Sequence, residues 1–245
     1  MRTEHFEPAR VSTSQVRISA VLYACVAILA ACQIPSESRV PTAPTKPVLP
    51  AAPAQATRYT IRSDLSDVRF LVYRAGPLAA RGHNHVVQAK TITGEIALSP
   101  DFQRSTFSIV MPVADFIVDS AEARMVEGEE FAKLPAPEFI EGTTRNMMGS
   151  KVLDAAPFPE IEIRTVDVIG PSWAPDVTLR IRLKGVERDM TVPVAIQYAN
   201  NRLEAITVFE VKQTDFGISP LSILGGALQV ADAIRVRMRI VAEKS

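Results

Sequence analysis

Two of the chain's three histidines lie two residues apart, at His83 and His85 in the stretch RGHNHVV. In a β-strand, side chains at this spacing point to the same face about 7 Å apart, so the two imidazoles could share one ligand. Imidazole binds metals, donates or accepts hydrogen bonds, and changes charge near neutral pH. The pair allows three interpretations: a metal site, a polar patch facing a ligand, or a structural pair bonded to the backbone.

A zinc site at this pair would need one or two further protein ligands. After the processing at Cys32 predicted below, the chain retains no other histidine and only that acylated cysteine, so the missing ligands would be carboxylates such as Glu95 or an acid between residues 119 and 130. We therefore predict no metal ligand and place His83 and His85 at the mouth of a binding site. A metal-dependent enzyme or sensor built on the pair is the alternative.

Several functional classes find no support in the composition or motifs. The 27 basic and 27 acidic side chains give no electrostatic reason to expect nucleic acid as a partner. The sequence contains no Gly-x-Ser-x-Gly, P-loop or dinucleotide-binding motif. The triplet from Asp215 to Gly217 lacks the other kinase motifs and predicts a turn. No catalytic residue is predicted, and a non-enzymatic role is favoured.

The N-terminus has the pattern of an export signal. Three arginines precede the 14-residue apolar run ISAVLYACVAILAA at 18–31, which is short for a membrane-spanning helix but suits a signal peptide. The run ends in Leu-Ala-Ala followed by Cys32, which resembles the lipobox of bacterial lipoproteins. The resemblance implies a signal peptide over 1–31 and lipidation at Cys32. A simple transmembrane anchor and an ordinary cleaved signal are the alternatives.

Residues 32–56 are predicted to tether the rest of the chain to the periplasmic side of a membrane. Prolines recur every third residue from Pro41 to Pro53, matching the three residues per turn of polyproline II. A disordered tail is the alternative. Removal of residues 1–31 also discards Cys25, so no disulfide is expected. Gln33 follows the lipidated cysteine where aspartate would favour the inner membrane, so we expect outer-membrane attachment.

From residue 57 to 245, alternating apolar residues predict one all-β domain of about eight antiparallel strands. Such a sheet must close or stack to protect its edges, so we predict a β-barrel, with a two-sheet sandwich as the second choice. Residues 120–134 and 139–152 break the alternation and predict a helical insertion, with Asp119 as its capping residue. The clearest runs are Ile92, Gly94, Ile96 and Leu98; Val177, Leu179, Ile181 and Leu183; and Ile234, Val236, Met238 and Ile240.

Five short segments, in order, resemble the YceI-like family of periplasmic lipid-binding or polyisoprenoid-binding proteins. The resemblance implies a lipocalin-like barrel that holds a long apolar chain. It places Phe107, Met147 and Met148 with the histidines at the ligand, and implies no cofactor other than a bound isoprenoid or quinone. The segments are Ser66-Asp67-Val68-Arg69-Phe70, Thr93-Gly94-Glu95-Ile96, Phe158-Pro159-Glu160-Ile161-Glu162-Ile163, Leu183-Lys184-Gly185-Val186-Glu187-Arg188 and Asp215-Phe216-Gly217-Ile218.

The sequence thus predicts a lipid-anchored periplasmic protein that binds an isoprenoid, quinone or fatty-acyl chain. Its partners would be this apolar ligand and the membrane that holds its anchor. A barrel filled by its own side chains, serving as a scaffold lipoprotein, is a further alternative. The three hypotheses differ in one measurable respect, because the purified protein would carry a lipid, a metal or neither.

Overall fold

The structure, a computed structural model, describes Pro53 and residues 55–245. In this part of the chain, thirteen strands form a single antiparallel sheet. The predicted signal peptide, Cys32 and most of the spacer lie outside these residues. Among the described residues, no helix is both long and apolar enough to cross a membrane. The strands are β1 (Thr57–Ile61), β2 (Asp67–Ala75), β3 (His85–Ala89), β4 (Thr93–Leu98), β5 (Thr106–Pro112), β6 (Phe116–Val118), β7 (Glu160–Ile169), β8 (Asp176–Leu183), β9 (Val186–Pro193), β10 (Ala195–Ala199), β11 (Arg202–Lys212), β12 (Ser222–Ile223) and β13 (Leu228–Lys244).

Several of these strands are pieces of one longer, interrupted strand. The pairs β1 and β2, β3 and β4, and β5 and β6 each lie end to end, because their members pair with the corresponding pieces of the neighbouring strands. A single residue, Val194, joins β9 to β10. Apart from the two-residue β12, which pairs only with the start of β13, eight strands then follow in chain order, each paired with the next, and β13 pairs back to β1 and β2. This is an up-and-down barrel.

The alternating residues of the sequence face the barrel interior. Val177, Leu179 and Ile181 are each at most 5% exposed, whereas Arg180 between them faces outward in an ion pair with Asp189. The predicted all-β class is therefore confirmed, as is the antiparallel pairing of sequence neighbours.

The helical insertion lies between β6 and β7 and consists of α1 (Ala121–Met125), α2 (Glu129–Ala132) and α3 (Pro137–Met148). The first two helices pack outside the barrel, where Ala123 and Phe131 form a small second core with the outward-facing Leu71 and Val86. The predicted cap at Asp119 is wrong: Ser120 caps α1, and its hydroxyl accepts a hydrogen bond from the Ala123 amide at 3.1 Å. Asp119 is instead buried beside the barrel.

Glycine is required at two positions within the family-like segments. Gly94 has a φ of 145°, and a Cβ there would lie 2.0 Å from the carbonyl oxygen of Ser108 on the paired strand. Gly185 has a φ of 76° in the β8–β9 turn, where a Cβ would lie 2.6 Å from the Phe158 ring. The segments that contain Phe158 and Gly185 thus contact each other, although about 25 residues separate them along the chain.

Candidate functional site

The barrel interior contains two cavities. The larger, about 200 Å³, adjoins α3 and is called the helix-side chamber. The smaller, about 90 Å³, is called the far chamber, and its lining presents an apolar surface. Ile163 on β7 lines both, so the chambers are neighbours inside one barrel. A single buried water needs only about 10–15 Å³, so the larger chamber has room for a ligand of many atoms.

The register of the strands places His85 at a defined level of the helix-side chamber. Val211 pairs with Ile234, Ile234 pairs with Val72, and Val72 pairs with His85. All four residues line the chamber. His85 therefore completes a cross-strand row that is otherwise aliphatic and contributes its polar group.

A buried carboxylate holds the His85 ring in place. Asp119 Oδ2 lies 2.6 Å from His85 Nδ1, and Oδ1 accepts a hydrogen bond from the Val86 amide at 2.9 Å. The Asp119 side chain has no exposed surface. Asp119 adopts a left-handed φ of 57° directly after β6, and its own amide donates to the Val86 carbonyl at 2.7 Å. This backbone geometry brings the carboxylate back to the start of β3.

The charge of Asp119 is balanced by Arg124 on α1, whose guanidinium also donates to Asp119 Oδ1. Arg124 donates further to the backbone carbonyls of Asn84 at 2.8 Å and Lys133 at 2.7 Å. Burial acts to raise the pKa of Asp119, but the hydrogen bonds from His85 and Val86 and the nearby positive charges outweigh it and hold that pKa below its ordinary value. The carboxylate is therefore ionised at neutral pH.

His83 occupies a different position from His85. It precedes β3, so the expectation of a shared strand is wrong, although the two ring centroids lie 6.3 Å apart. His83 is not among the residues that line either chamber, and its ring lies 5.2 Å from that of Phe139 on α3. Burial, with the neighbouring His85 next in importance, lowers the pKa of His83. Only His85 reaches the chamber.

The rest of the polar lining comes from one face of α3 and from Lys212 and Gln213, at and just after the end of β11. Thr143, Asn146 and Met147 face the helix-side chamber at helical spacing. Thr143 Oγ1 lies 3.5 Å from His85 Nε2, at the outer limit of a hydrogen bond.

The other two residues predicted at the ligand lie away from the polar end of the helix-side chamber. Met148 packs against the core beside the helix-side chamber without lining it, and Phe107 lines the far chamber. Both contact the apolar interior rather than the polar end.

Across residues 55–245, no group of three or more histidine, cysteine, aspartate or glutamate side chains is arranged to hold a metal ion. His85 Nδ1 is already bonded to Asp119, and His83 turns toward Phe139. No observation in the described part of the chain therefore favours the metal hypothesis.

The sequence interpretation missed Asp119 and Thr143 as partners of His85. They lie 34 and 58 residues away along the chain, and neither falls in a recognisable motif. A buried acid directly after a strand was interpreted as a helix cap because the next residues are helical. The sequence did contain one signal. Asp119 and Ser120 are both good capping residues, but a helix has only one N-cap, so one of the two was available for another role.

The fold and site define a class: an antiparallel eight-stranded barrel with an apolar interior and a histidine–carboxylate pair at one end. The YceI-like domain model matches residues 59–242, which is most of the chain. The chain therefore belongs to the YceI-like family, as the five segments indicated.

Two solved structures share this fold. BcnA of Burkholderia cenocepacia aligns with a TM-score of 0.55 at 14% identity, over 74% of this chain and 98% of its own. A polyisoprenoid-binding domain from Saccharophagus degradans aligns with a TM-score of 0.52 at 10% identity, over 76% of this chain and 98% of its own. No curated protein matches the sequence.

Proposed function

We propose that this protein is a lipid-anchored binding protein on the periplasmic side of a bacterial outer membrane. It holds the apolar chain of an isoprenoid, quinone or fatty-acyl ligand inside the barrel. The observation that carries the proposal is the pair of adjacent chambers, one with a polar end and one apolar. An amphiphile with a long tail matches this arrangement, because its head and tail need different surroundings.

The volume of the interior supports a ligand rather than a filled scaffold. Protein cores are close-packed and contain few voids larger than a water molecule. The two chambers measure about 200 and 90 Å³ and lie between the inner faces of the same strands. A barrel that served only as a scaffold would gain stability by filling this space with larger side chains.

The description of the Saccharophagus degradans domain as polyisoprenoid-binding supports the choice of ligand class. The N-terminal pattern supports the anchor, since a short apolar run ends at Cys32. Two acyl chains hold a protein stably on a bilayer, whereas one gives only reversible binding. Lipidation of Cys32 would therefore keep the domain at the membrane that contains its ligands.

The binding proposal is tested with two valines of β11. Val211 lines the helix-side chamber, whereas Val208 on the outer face is 50% exposed. Val211→Trp fills the chamber, and Val208→Trp makes the same change outside it. The measurement is native mass spectrometry of the purified protein, followed by organic extraction and metal analysis.

We expect a co-purifying lipid in the wild type and in Val208→Trp, and its loss in Val211→Trp. Neither lipid nor metal in the wild type would favour the scaffold, and a stoichiometric metal without lipid would favour the metal hypothesis. A melting curve of each variant shows whether the tryptophan has also affected folding.

The anchor has a separate test. Cys32→Ala removes the acylated thiol, so the protein is expected to accumulate unprocessed or to leave the membrane fraction. Cys25→Ala, a cysteine inside the predicted signal peptide, is the matched control and should be processed normally. A Cys32→Ala protein with wild-type mature mass in the membrane fraction would refute the anchor.

A further inference from the structure

The hydrogen bonds of Asp119 determine which nitrogen of His85 carries the proton. An ionised carboxylate only accepts hydrogen bonds. Oδ1 is occupied by the Val86 amide and Arg124, and Oδ2 faces His85 Nδ1 at 2.6 Å. A contact this short needs a proton between the two atoms, so Nδ1 is the protonated nitrogen.

The neutral His85 ring therefore presents the lone pair of Nε2 to the helix-side chamber. Its partner there is Thr143 Oγ1, at a distance of 3.5 Å that leaves a weak bond at most. The other chamber-lining residues of the same cross-strand row, Val211, Ile234 and Val72, are aliphatic. A partly buried acceptor with a weak partner favours a ligand that brings its own donor.

We propose that the ligand carries a hydroxyl group, as in a long-chain alcohol, a phenol or a hydroquinone, that donates a hydrogen bond to His85 Nε2. The inference rests on the proposed function and specifies the chemistry of the ligand's head. An ether, an ester or an oxidised quinone has only acceptors, so its oxygen would face the Nε2 lone pair. A site built to bind a hydroxyl discriminates strongly against an analogue that lacks it.

The test uses two probes that differ only at the head, farnesol and farnesyl methyl ether. Affinities are measured by calorimetry in mildly alkaline buffer, which favours the neutral form of an imidazole. The wild type is expected to bind farnesol about tenfold more tightly, the upper range for one hydrogen bond. His85→Phe keeps an aromatic ring but removes the acceptor, and should bind the two probes within about twofold of each other.

Asp119→Asn makes the sharpest prediction. Because Val86 and Arg124 both donate to the Oδ1 position, the amide oxygen of the asparagine must take that position, and its NH₂ group then faces His85 Nδ1. The proton moves to Nε2, which becomes a donor, just as replacement of a triad aspartate by asparagine selects the wrong histidine tautomer. Farnesol and its methyl ether both offer an oxygen lone pair to such a donor, so the wild-type preference should disappear and the two probes should bind within about twofold of each other. Asparagine tolerates the left-handed backbone of this position.

Thr143→Val separates the histidine from the only other hydroxyl bonded to it among the described residues. Because valine is nearly isosteric with threonine, the variant should keep the wild-type preference for farnesol. Loss of the preference in Thr143→Val, with the preference unchanged in His85→Phe, would assign the head group to Thr143 and overturn the inference.

The remaining outcomes also decide. Equal affinities in the wild type, or tighter binding of the ether, would refute the hydroxyl inference and leave the proposed function standing. Failure of the wild type to bind either probe would refute the hydroxyl inference, whereas the proposed function is decided separately by whether a lipid co-purifies. Persistence of the farnesol preference in Asp119→Asn would refute the tautomer argument. If that variant melts below the assay temperature, the His85→Phe comparison decides by itself.

Discussion

The helix-side chamber and the far chamber lie in the same barrel but differ in what surrounds them. The first borders a helix, a histidine and a buried ion pair, whereas the second has an apolar lining surface. Both lie inside one barrel whose strands share the same alternating pattern, and β7, β8, β11 and β13 contribute to both linings. The difference arises because β3 begins at His85 and because α3 lies beside the start of that strand.

Because of this difference, the barrel interior has a polar end beside α3 and an apolar end at the far chamber. A buried charge is stabilised in the helix-side region because the Asp119 carboxylate accepts hydrogen bonds from both Arg124 and His85. Two hydroxyls around the far chamber are instead used within the protein: Ser105 accepts from the Ser99 amide, and Thr207 donates to the Pro193 carbonyl. We infer that an amphiphilic ligand binds with its head beside α3 and its tail toward the far chamber.

The largest effect is expected from Asp119→Ala. The substitution leaves Arg124, whose side chain is 4% exposed, buried without its carboxylate. Breaking a buried pair in this way costs about 3–5 kcal/mol of unfolding free energy. Asp64→Ala, which removes a 60% exposed carboxylate from Arg62, should lower the unfolding free energy far less, because solvent screens this pair. Urea denaturation measures both, and equal losses would show that the buried network does not stabilise the helix-side region.

The same carboxylate predicts a loss of stability in acid. Because its pKa is lower in the folded than in the unfolded state, Asp119 stabilises the fold above the ordinary aspartate pKa of about 3.9. This contribution to the unfolding free energy is lost as the pH falls through the folded-state pKa. Its size cannot exceed the loss of unfolding free energy caused by Asp119→Ala.

The loss of stability in acid is tested by comparing the wild type with Asp119→Asn, which lacks the titrating carboxylate. The gap in unfolding free energy between wild type and variant is expected to narrow as the pH falls below about 4. Denaturation curves at a series of acidic pH values measure it, and a gap that stays constant would contradict the assignment. Other acids with lowered pKa values, such as Asp67 and Asp189, are unchanged in the variant and cancel in the difference.

Phe107→Ala should enlarge the far chamber and leave the head-group region intact. Full burial of phenylalanine is worth about 3–5 kcal/mol on truncation to alanine, so the half-buried Phe107 should lose about 2 kcal/mol. The variant is expected to retain longer-tailed lipids, measured by extraction and mass spectrometry, with the farnesol preference unchanged. A change in that preference would contradict the separation of the two chambers.

Met147 and Met148 form a matched pair on α3. Met147 lines the helix-side chamber and Met148 does not, although both are half-buried. Alanine at either position should cost about 1–2 kcal/mol of stability, below the range for fully buried methionine. Only Met147→Ala should reduce the amount of co-purifying lipid. Equal lipid losses in the two variants would show that the helix, rather than the chamber wall, controls retention.

The smallest effect is expected outside the barrel. Arg180 and Asp189 pair across β8 and β9 with their side chains 36% and 41% exposed. Arg180→Ala should lower the unfolding free energy less than any variant of the interior and leave lipid content unchanged, because solvent screens this pair. A larger loss in urea denaturation would mean that the outer face contributes to the stability of the interior.

Local sequence patterns were enough to predict much of the fold. The period-two runs, such as Val177 to Leu183, predicted the inward face of each strand, because alternation along a strand is a local property. Residues 120–134 lost that period and proved helical. The capping residue was misplaced by one, because Asp119 and Ser120 are both good caps and only the tertiary structure shows that Asp119 is engaged by His85.

The sequence by itself determined the β class, the family and the pair of histidines worth attention. Only the tertiary structure decided that His85 faces the helix-side chamber while His83 packs on Phe139, because β3 begins between them. It also decided the partners of His85, since a left-handed residue at 119 and one face of α3 bring Asp119 and Thr143 to a ring that is distant along the chain. Residues that are neighbours in sequence determine the alternation of a strand and the type of a turn. The members of this hydrogen-bond network are distant in sequence, and only the folded barrel brings them together.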